Sequence, residues 1–283
     1  MDTKIWPITS NHRYLDALNF VDRFPAYTVT HRGEEMIWWY RRGDDVDMLR
    51  FHKMADGAEL KVQGCTEIAV RAFRVGLEPL PTDRFQASLP EPYRALHTKF
   101  AGIRPIIFLD AFEGVAWSIL GQQFTVKFAA QLKGAIARKW GTMVDDNLAV
   151  FPSPRQLATA TVDQLRMLKL SKQKATALLS IAVAIADGTW TLETLYQKPT
   201  VEALAELQRI KGIGPWTAEY SLLRVFGHQD VLPAADVGLQ RAWARTLGVN
   251  HVSEIELRKA GQVCKGDRSD FAFWLWLSNM DPV

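Results

Sequence analysis

Between two stretches whose apolar residues recur at helical spacing, the chain places Lys211-Gly212-Ile213-Gly214-Pro215. The segment before it, "VEALAELQRI" (201–210), puts Leu204, Leu207 and Ile210 on one stripe. The segment after it, "WTAEYSLLRVF" (216–226), does the same with Ala218, Leu222, Val225 and Phe226. So short a connection predicts two helices folded back on each other. Gly212 and Gly214 are expected to supply conformations closed to other residues and to leave no Cβ in a neighbour's way. Ile213 is expected to point inward and Pro215 to open the second helix, where its missing N–H is not needed. The free N–H groups of that first turn, together with the helix dipole, suit an anion, and beside Lys211 a nucleic-acid phosphate fits. Taken alone, the turn also reads as a plain αα-hairpin with a glycine cap.

The helical period continues through most of the chain beyond residue 93: over 93–101, 110–121, 124–140, 154–160, 161–168, 172–187, 191–196, 200–210, 216–226, 236–247, 253–263 and 268–279. Ser171 is a natural N-cap for the helix that Asp187-Gly188 would stop. The first 85 or so residues differ. Strand-like runs at 27–32, 35–42, 46–53 and 59–64 alternate with Gly/Asp turns, and helical patterns at 11–23 and 66–76 flank them. The expected fold is mainly α with an N-terminal α+β domain. Residues 1–88 would form that domain around a small antiparallel sheet, and residues 89–283 the helical region, in one or two subdomains flanking a cleft. The proline-rich stretch "LEPLPTDRFQASLPEP" (77–92) reads as the linker.

Composition removes several function classes. No apolar run reaches the ~18 residues of a membrane span, and the start lacks the pattern of a secretory signal, so a cytoplasmic, non-membrane protein is expected. Cys65 and Cys264 stand far apart with no metal-ligand spacing, which supports neither a disulfide framework nor a zinc or iron–sulfur site. Residues 1–100 balance 14 Lys+Arg against 14 Asp+Glu, leaving 20 against 17 for the rest. That weak basic bias is compatible with a polyanionic partner. Ten tryptophans are many, and large aromatics serve as core or as contact surface.

After the hairpin, Asp236 follows Pro233-Ala234-Ala235 and precedes "VGLQRAWARTL", where an Asp is a favoured N-cap. "LQRIKGIGPWTAEY" followed by "LPAADVGLQRAW" resembles the helix–hairpin–helix and Asp signature of the base-excision DNA glycosylase superfamily. Within it the similarity is to the alkylbase, DNA-3-methyladenine glycosylase II group. "FEGVAWSILGQQFTVKFAAQL" (112–132), "FPSPRQLATA" (151–160) and "LKLSKQKATALLSIAVAIADG" (168–188) resemble that group in order and spacing; the first 85 residues carry little of its motif content.

The resemblance implies hydrolysis of a base–sugar bond in double-stranded DNA, with Asp236 as catalytic carboxylate. Cleaving that bond builds positive charge on the sugar, which an ionised carboxylate stabilises while aligning or deprotonating a water. A cationic alkylated base leaves without a proton, so one carboxylate is sufficient. Trp216 stands where strand-cleaving relatives carry a Schiff-base lysine, implying a monofunctional hydrolase. Chemistry inside a duplex needs the nucleotide flipped out, at a few kcal/mol. Trp216 and Tyr220, at i and i+4, are expected to form one wall of the base pocket; for the second the C-terminal segment offers Trp274 and Trp276, of which the resemblance favours Trp276. Phe271 and Phe273 are assigned to packing. Electron-rich rings attract a cationic purine by ~0.5–2 kcal/mol.

DNA contact is expected from Lys211, Gly212, Ile213, Gly214 and Thr217 of the hairpin and from Gln122 and Gln123, of which Gln123 is the candidate wedge for the gap a flipped base leaves. Lys172 and Lys174 read either as phosphate contacts or as a solvated helix end. The resemblance implies no required cofactor, leaves room for Na+ or K+ on the carbonyls of Ile210 and Gly212, and nothing argues for more than a monomer. Two other readings stand beside this one: an oxidised-purine or mismatch glycosylase of the same superfamily, which Trp216 and the lack of four clustered cysteines oppose, and a non-catalytic DNA-anchoring hairpin module, which leaves Asp236 and the aromatic wall unexplained.

Overall fold

The computed structural model describes residues 2–7, 14–53, 59–73, 89–100 and 102–280. Most of the expected linker, and the boundary at 88, lie outside these residues. The N-terminal part is a five-stranded antiparallel sheet with two helices, in the order β1 (Asp2–Pro7), α1 (Tyr14–Arg23), β2 (Thr28–Arg32), β3 (Glu35–Arg42), β4 (Asp45–Lys53), β5 (Glu59–Gly64) and α2 (Thr66–Phe73). The strands lie in the order β1-β5-β4-β3-β2. The four strands read from periodicity are present; β1 was not anticipated, and it pairs with β5 from Asp2 opposite Gly64 to Pro7 opposite Glu59.

The helical region contains α3 (Tyr93–Phe100), α4 (Ala111–Gly121), α5 (Val126–Trp140), α6 (Pro154–Leu157), α7 (Val162–Met167), α8 (Lys172–Ala186), α9 (Thr200–Gln208), α10 (Pro215–Arg224), α11 (Val237–Leu247), α12 (Glu254–Ala260) and α13 (Arg268–Met280). Expected helix 191–196 is a short 3-10 turn at Glu193–Tyr196, and a two-stranded ribbon, β6 (Thr142–Met143) with β7 (Ala149–Val150), follows α5. Side-chain caps open many of these helices: Ser171 Oγ accepts the Lys174 N–H at 3.2 Å, and Ser153, Thr161 and Ser253 form full capping boxes. No helix among the described residues is long and apolar enough to cross a membrane.

One continuous apolar core joins sheet and helices. Tyr27 shows how: its ring lies 4.6 Å from Trp38 of β3 and 5.0 Å from Phe108, which leads into α4. The consequence for function is that α1 and the loop after it are carried against α4, α10 and α13, the helices that bear the candidate site.

Candidate active site

The hairpin joins α9 to α10, and its two glycines serve different ends. Gly212 has φ +99°, and a Cβ there would sit 2.7 Å from the Ala177 Cβ of α8, so both conformation and close approach demand glycine. Gly214 differs from expectation. It is the N-cap of α10 with φ −86° and ψ 178°, ordinary extended backbone, and a Cβ would meet nothing within 4 Å. Its bareness keeps the helix start accessible instead of permitting the turn. Ile213 is buried, Pro215 occupies the first helical turn, no side chain caps that turn, and Lys211 is exposed beside it.

Gln122, expected to contact DNA, faces inward. Its Nε2 donates to the Gly212 carbonyl at 2.9 Å and to Thr217 Oγ1 at 2.7 Å. Thr217 is buried, so its hydroxyl is also committed. The cause is the hairpin carbonyl: a partly buried acceptor needs a donor, and the amide supplies it. The Ile210 carbonyl accepts the Ile213 N–H at 3.0 Å. Each of the two carbonyls suggested for a monovalent ion therefore has one lone pair already taken. Among the described residues no group of three His, Cys, Asp or Glu side chains gathers as a metal site.

Asp236 caps α11, as its local sequence predicts. Its Oδ1 accepts the Leu239 N–H at 2.9 Å, and φ −70°, ψ 115° keeps the residue just outside the helix. Two further donors converge on it. Trp216 Nε1 reaches Oδ2 at 3.1 Å and Trp276 Nε1 reaches Oδ1 at 3.4 Å. Three N–H groups thus orient a half-buried carboxylate that, among the described residues, forms no ion pair. Tyr220 lies between the two tryptophans, its ring 5.3 Å from Trp216 and 5.4 Å from Trp276. Burial raises the Tyr220 phenol's pKa, and its oxygen accepts Trp117 Nε1 at 3.1 Å, so the wall is neutral and fixed in orientation.

The α13 register decides between the two C-terminal tryptophans. Arg268 pairs with Asp230 at 2.6 Å at the start of α13, and Asn279 Nδ2 donates to the Gly238 carbonyl at 3.0 Å near its end. Held so, α13 turns Trp276 to Asp236. Trp274, two residues earlier on a helix, faces away: it is buried with its ring 5.4 Å from His97 and takes no place in the wall. Phe271 and Phe273 are fully buried, in keeping with their assignment to packing.

Several neighbours of the wall escaped sequence reasoning. Arg224 lies one turn beyond Tyr220 and is buried, with Nε donating to the Ile106 carbonyl at 3.0 Å and the guanidinium also bonding the Tyr27 hydroxyl. Among the described residues no carboxylate pairs with it. Ring faces surround it instead: its Cζ is 5.1, 5.3, 5.4 and 5.8 Å from Phe20, Phe24, Phe273 and Trp276. Phe24, directly after α1, packs edge-on against Trp117 at 5.6 Å, which brings the N-terminal part to the back of the wall. The spacing 216, 220, 224 was the available signal, since an Arg in that register follows the same helix face.

Beside the wall, α4 ends in an exposed loop. Gln123 is exposed with φ +56°, a left-handed conformation that costs a non-glycine residue about 1 kcal/mol or more. Lys172 is exposed at the start of α8. Lys174 is not: it is buried, its Nζ donates to the Leu120 carbonyl at 3.1 Å and to that of Gln122, and it lies 3.6 Å from the Phe124 ring centroid. Burial lowers its pKa to about 8. The reading of Lys174 as a phosphate contact or solvated end is thereby corrected, because α8 docks beneath the end of α4.

The chain has counterparts among known proteins. Residues 116–265, more than half the chain, match the family described as HhH-GPD superfamily base excision DNA repair protein. The chain belongs to the HhH-GPD superfamily. The matched span holds the α4 loop, Lys174, the hairpin and Asp236, and stops before Trp276. Among HhH-GPD relatives, the chain is 32% identical over 182 residues to a DNA-3-methyladenine glycosylase of Bacillus subtilis, covering 63% of this chain and 60% of that one. It is 36% identical over 132 residues to DNA-3-methyladenine glycosylase 2 of Escherichia coli, 46% of each. The matched segment thus spans about half the length of these curated relatives. A solved 3-methyladenine DNA-glycosylase from Archaeoglobus fulgidus superposes over 98% of both chains with a TM-score of 0.81 at 23% identity, a likeness of fold.

Proposed function

We propose that this protein is a monofunctional DNA glycosylase that removes alkylated purines of the 3-methyladenine and 7-methylguanine type from double-stranded DNA. The observation that carries the reading is the Asp236 carboxylate, oriented by three N–H donors at the edge of the Trp216–Tyr220–Trp276 wall. A methylated purine bears a positive charge, so ring faces favour it over a neutral base. As the C1′–N bond breaks, its electron pair leaves with the base, which becomes neutral, and the sugar becomes cationic. Asp236 stabilises that cation and directs water to C1′, and the proton lost by the water passes to the carboxylate or to solvent. No metal or cofactor enters this scheme, and a Na+ or K+ ion at the hairpin would serve to bind phosphate only.

The open N-terminal turn of α10 with Lys211 would grip the DNA backbone, Lys172 would add a phosphate contact, and Gln123 would fill the vacated stack. With Trp216 in place of a lysine, position 216 offers no amine for a Schiff base. A monomer acting on DNA suffices for all of these roles. The names of these relatives, DNA-3-methyladenine glycosylases, support the substrate class.

Incubation of methylated duplex DNA with the protein tests the proposal. The expected result is free methylpurine and intact abasic strands, with no adduct trapped by borohydride and with binding that weakens steeply with salt. Binding without base release would instead favour a DNA-anchoring module, and trapped adducts would favour a lyase.

A further inference from the structure

We propose that Lys174 is a positioning residue, which from inside the protein fixes the loop after α4 so that Gln123 stands ready to enter the space left by a flipped nucleotide. The inference rests on the glycosylase reading above.

The argument starts at the end of α4. The last carbonyls of a helix have no donors within it and form the negative end of its dipole. Gln122 ties this end to the hairpin, so a polyanion held by the hairpin would meet it. Lys174 answers both problems. Its ammonium has three N–H groups and three acceptors: the carbonyls of Leu120 and Gln122 and the face of Phe124. Two of these acceptors belong to the residues on either side of Gln123. Gln122 is held twice, by Lys174 through its carbonyl and by Gly212 and Thr217 through its amide. Phe124 is held by Lys174 and by edge-on contact with Phe128 at 4.7 Å. Between these fixed points Gln123 is exposed in a left-handed conformation, which persists when its surroundings over-determine it. The loop is thus braced on both flanks while its central side chain stays available. A solvated lysine would give none of this, and an apolar residue in its place would leave two carbonyls without their donor.

A wedge matters for a stacked duplex and not for a single strand, and this difference tests the proposal. The kcat/KM for release of 7-methylguanine is measured on both DNA forms for the wild type, Lys174→Met, Lys174→Arg, Gln123→Ala and the double variant Lys174→Met/Gln123→Ala. The duplex-to-single-strand ratio should fall roughly ten- to a hundredfold for Lys174→Met, the upper figure being the scale of a misplacement of about 1 Å. Lys174→Arg should recover part of it, and the double variant should be no worse on duplex than Gln123→Ala. Should Lys174→Met not fold, Lys174→Gln carries the same comparison. An unchanged ratio, equal losses on both DNA forms, or additive losses in the double variant would overturn the role of Lys174. A wild type that releases no base from either form would overturn the glycosylase reading itself.

Discussion

The corner around Asp236 and the corner around Gln123 meet where Gly121 passes Trp216, a Cβ on the glycine falling 3.8 Å from the indole, yet they are held by different forces. Around Asp236 the fixing elements are large rings packed on a core, with N–H groups that orient one carboxylate. Around Gln123 they are polar: an amide on a carbonyl, an ammonium on two more, and a strained backbone. Packing supplies rigidity that persists whatever DNA is bound, which suits bond chemistry. A polar brace leaves an exposed tip, which fits the proposed entry of Gln123 into an opened duplex.

Substitutions should separate the two corners. The largest effect is expected for Asp236→Asn, which should lower base release by about 10²–10³-fold on duplex and single-stranded DNA alike, since it removes charge stabilisation at the sugar. Next come the indole donors. Trp216→Phe, keeping a ring but losing the 3.1 Å bond to Oδ2, should cost roughly tenfold in kcat, the scale of a hydrogen bond to a charged group. Trp276→Phe should cost less, because its 3.4 Å bond is close to the limit of a useful one. A reversed order would break the assignment of Trp216 as the main orienting donor. Gln123→Ala should act on duplex alone; equal loss on single strands would dissolve the division between the corners.

The smallest effect concerns stability. Asp110 caps the N-terminus of α4, its Oδ1 accepting the Glu113 N–H at 2.8 Å, and burial, with the charge of Glu113, raises its pKa from 3.8 to about 7. A raised native pKa means that the folded state binds the proton more tightly. The stability so gained is present below about pH 4 and is lost as pH rises through 7. Asp110→Asn keeps the cap without the titration. Thermal unfolding should therefore show the wild type losing ground to the variant between pH 4 and pH 8, with base release unaffected; parallel curves would contradict it.

The same division governs what could be read in the sequence. The hairpin, the Asp236 cap and the Trp216–Tyr220 pair are local: each depends on residues within a turn or two of each other, and periodicity with turn chemistry reveals them. Lys174 and Gln122 depend on docking. "SKQK" at a helix start looks solvated, and the contact of α8 with the end of α4, across some fifty residues, turns it inward. Choosing Trp276 over Trp274 required the register of α13, which Arg268–Asp230 and Asn279–Gly238 set from outside the segment. Gly214 shows the converse error: a Gly-x-Gly suggested two special conformations, and only Gly212 has one. β1 escaped because its partner β5 lies more than fifty residues away.

Single-turnover release of 7-methylguanine, with enzyme saturating and DNA affinity measured on the same preparations, reaches the central claim most directly. Wild-type protein should release the base in one fast phase, and Asp236→Asn, bound to DNA as tightly, should do so at least about 100-fold more slowly. Comparable rates for the two proteins would mean that the carboxylate at the aromatic wall does not carry the reaction.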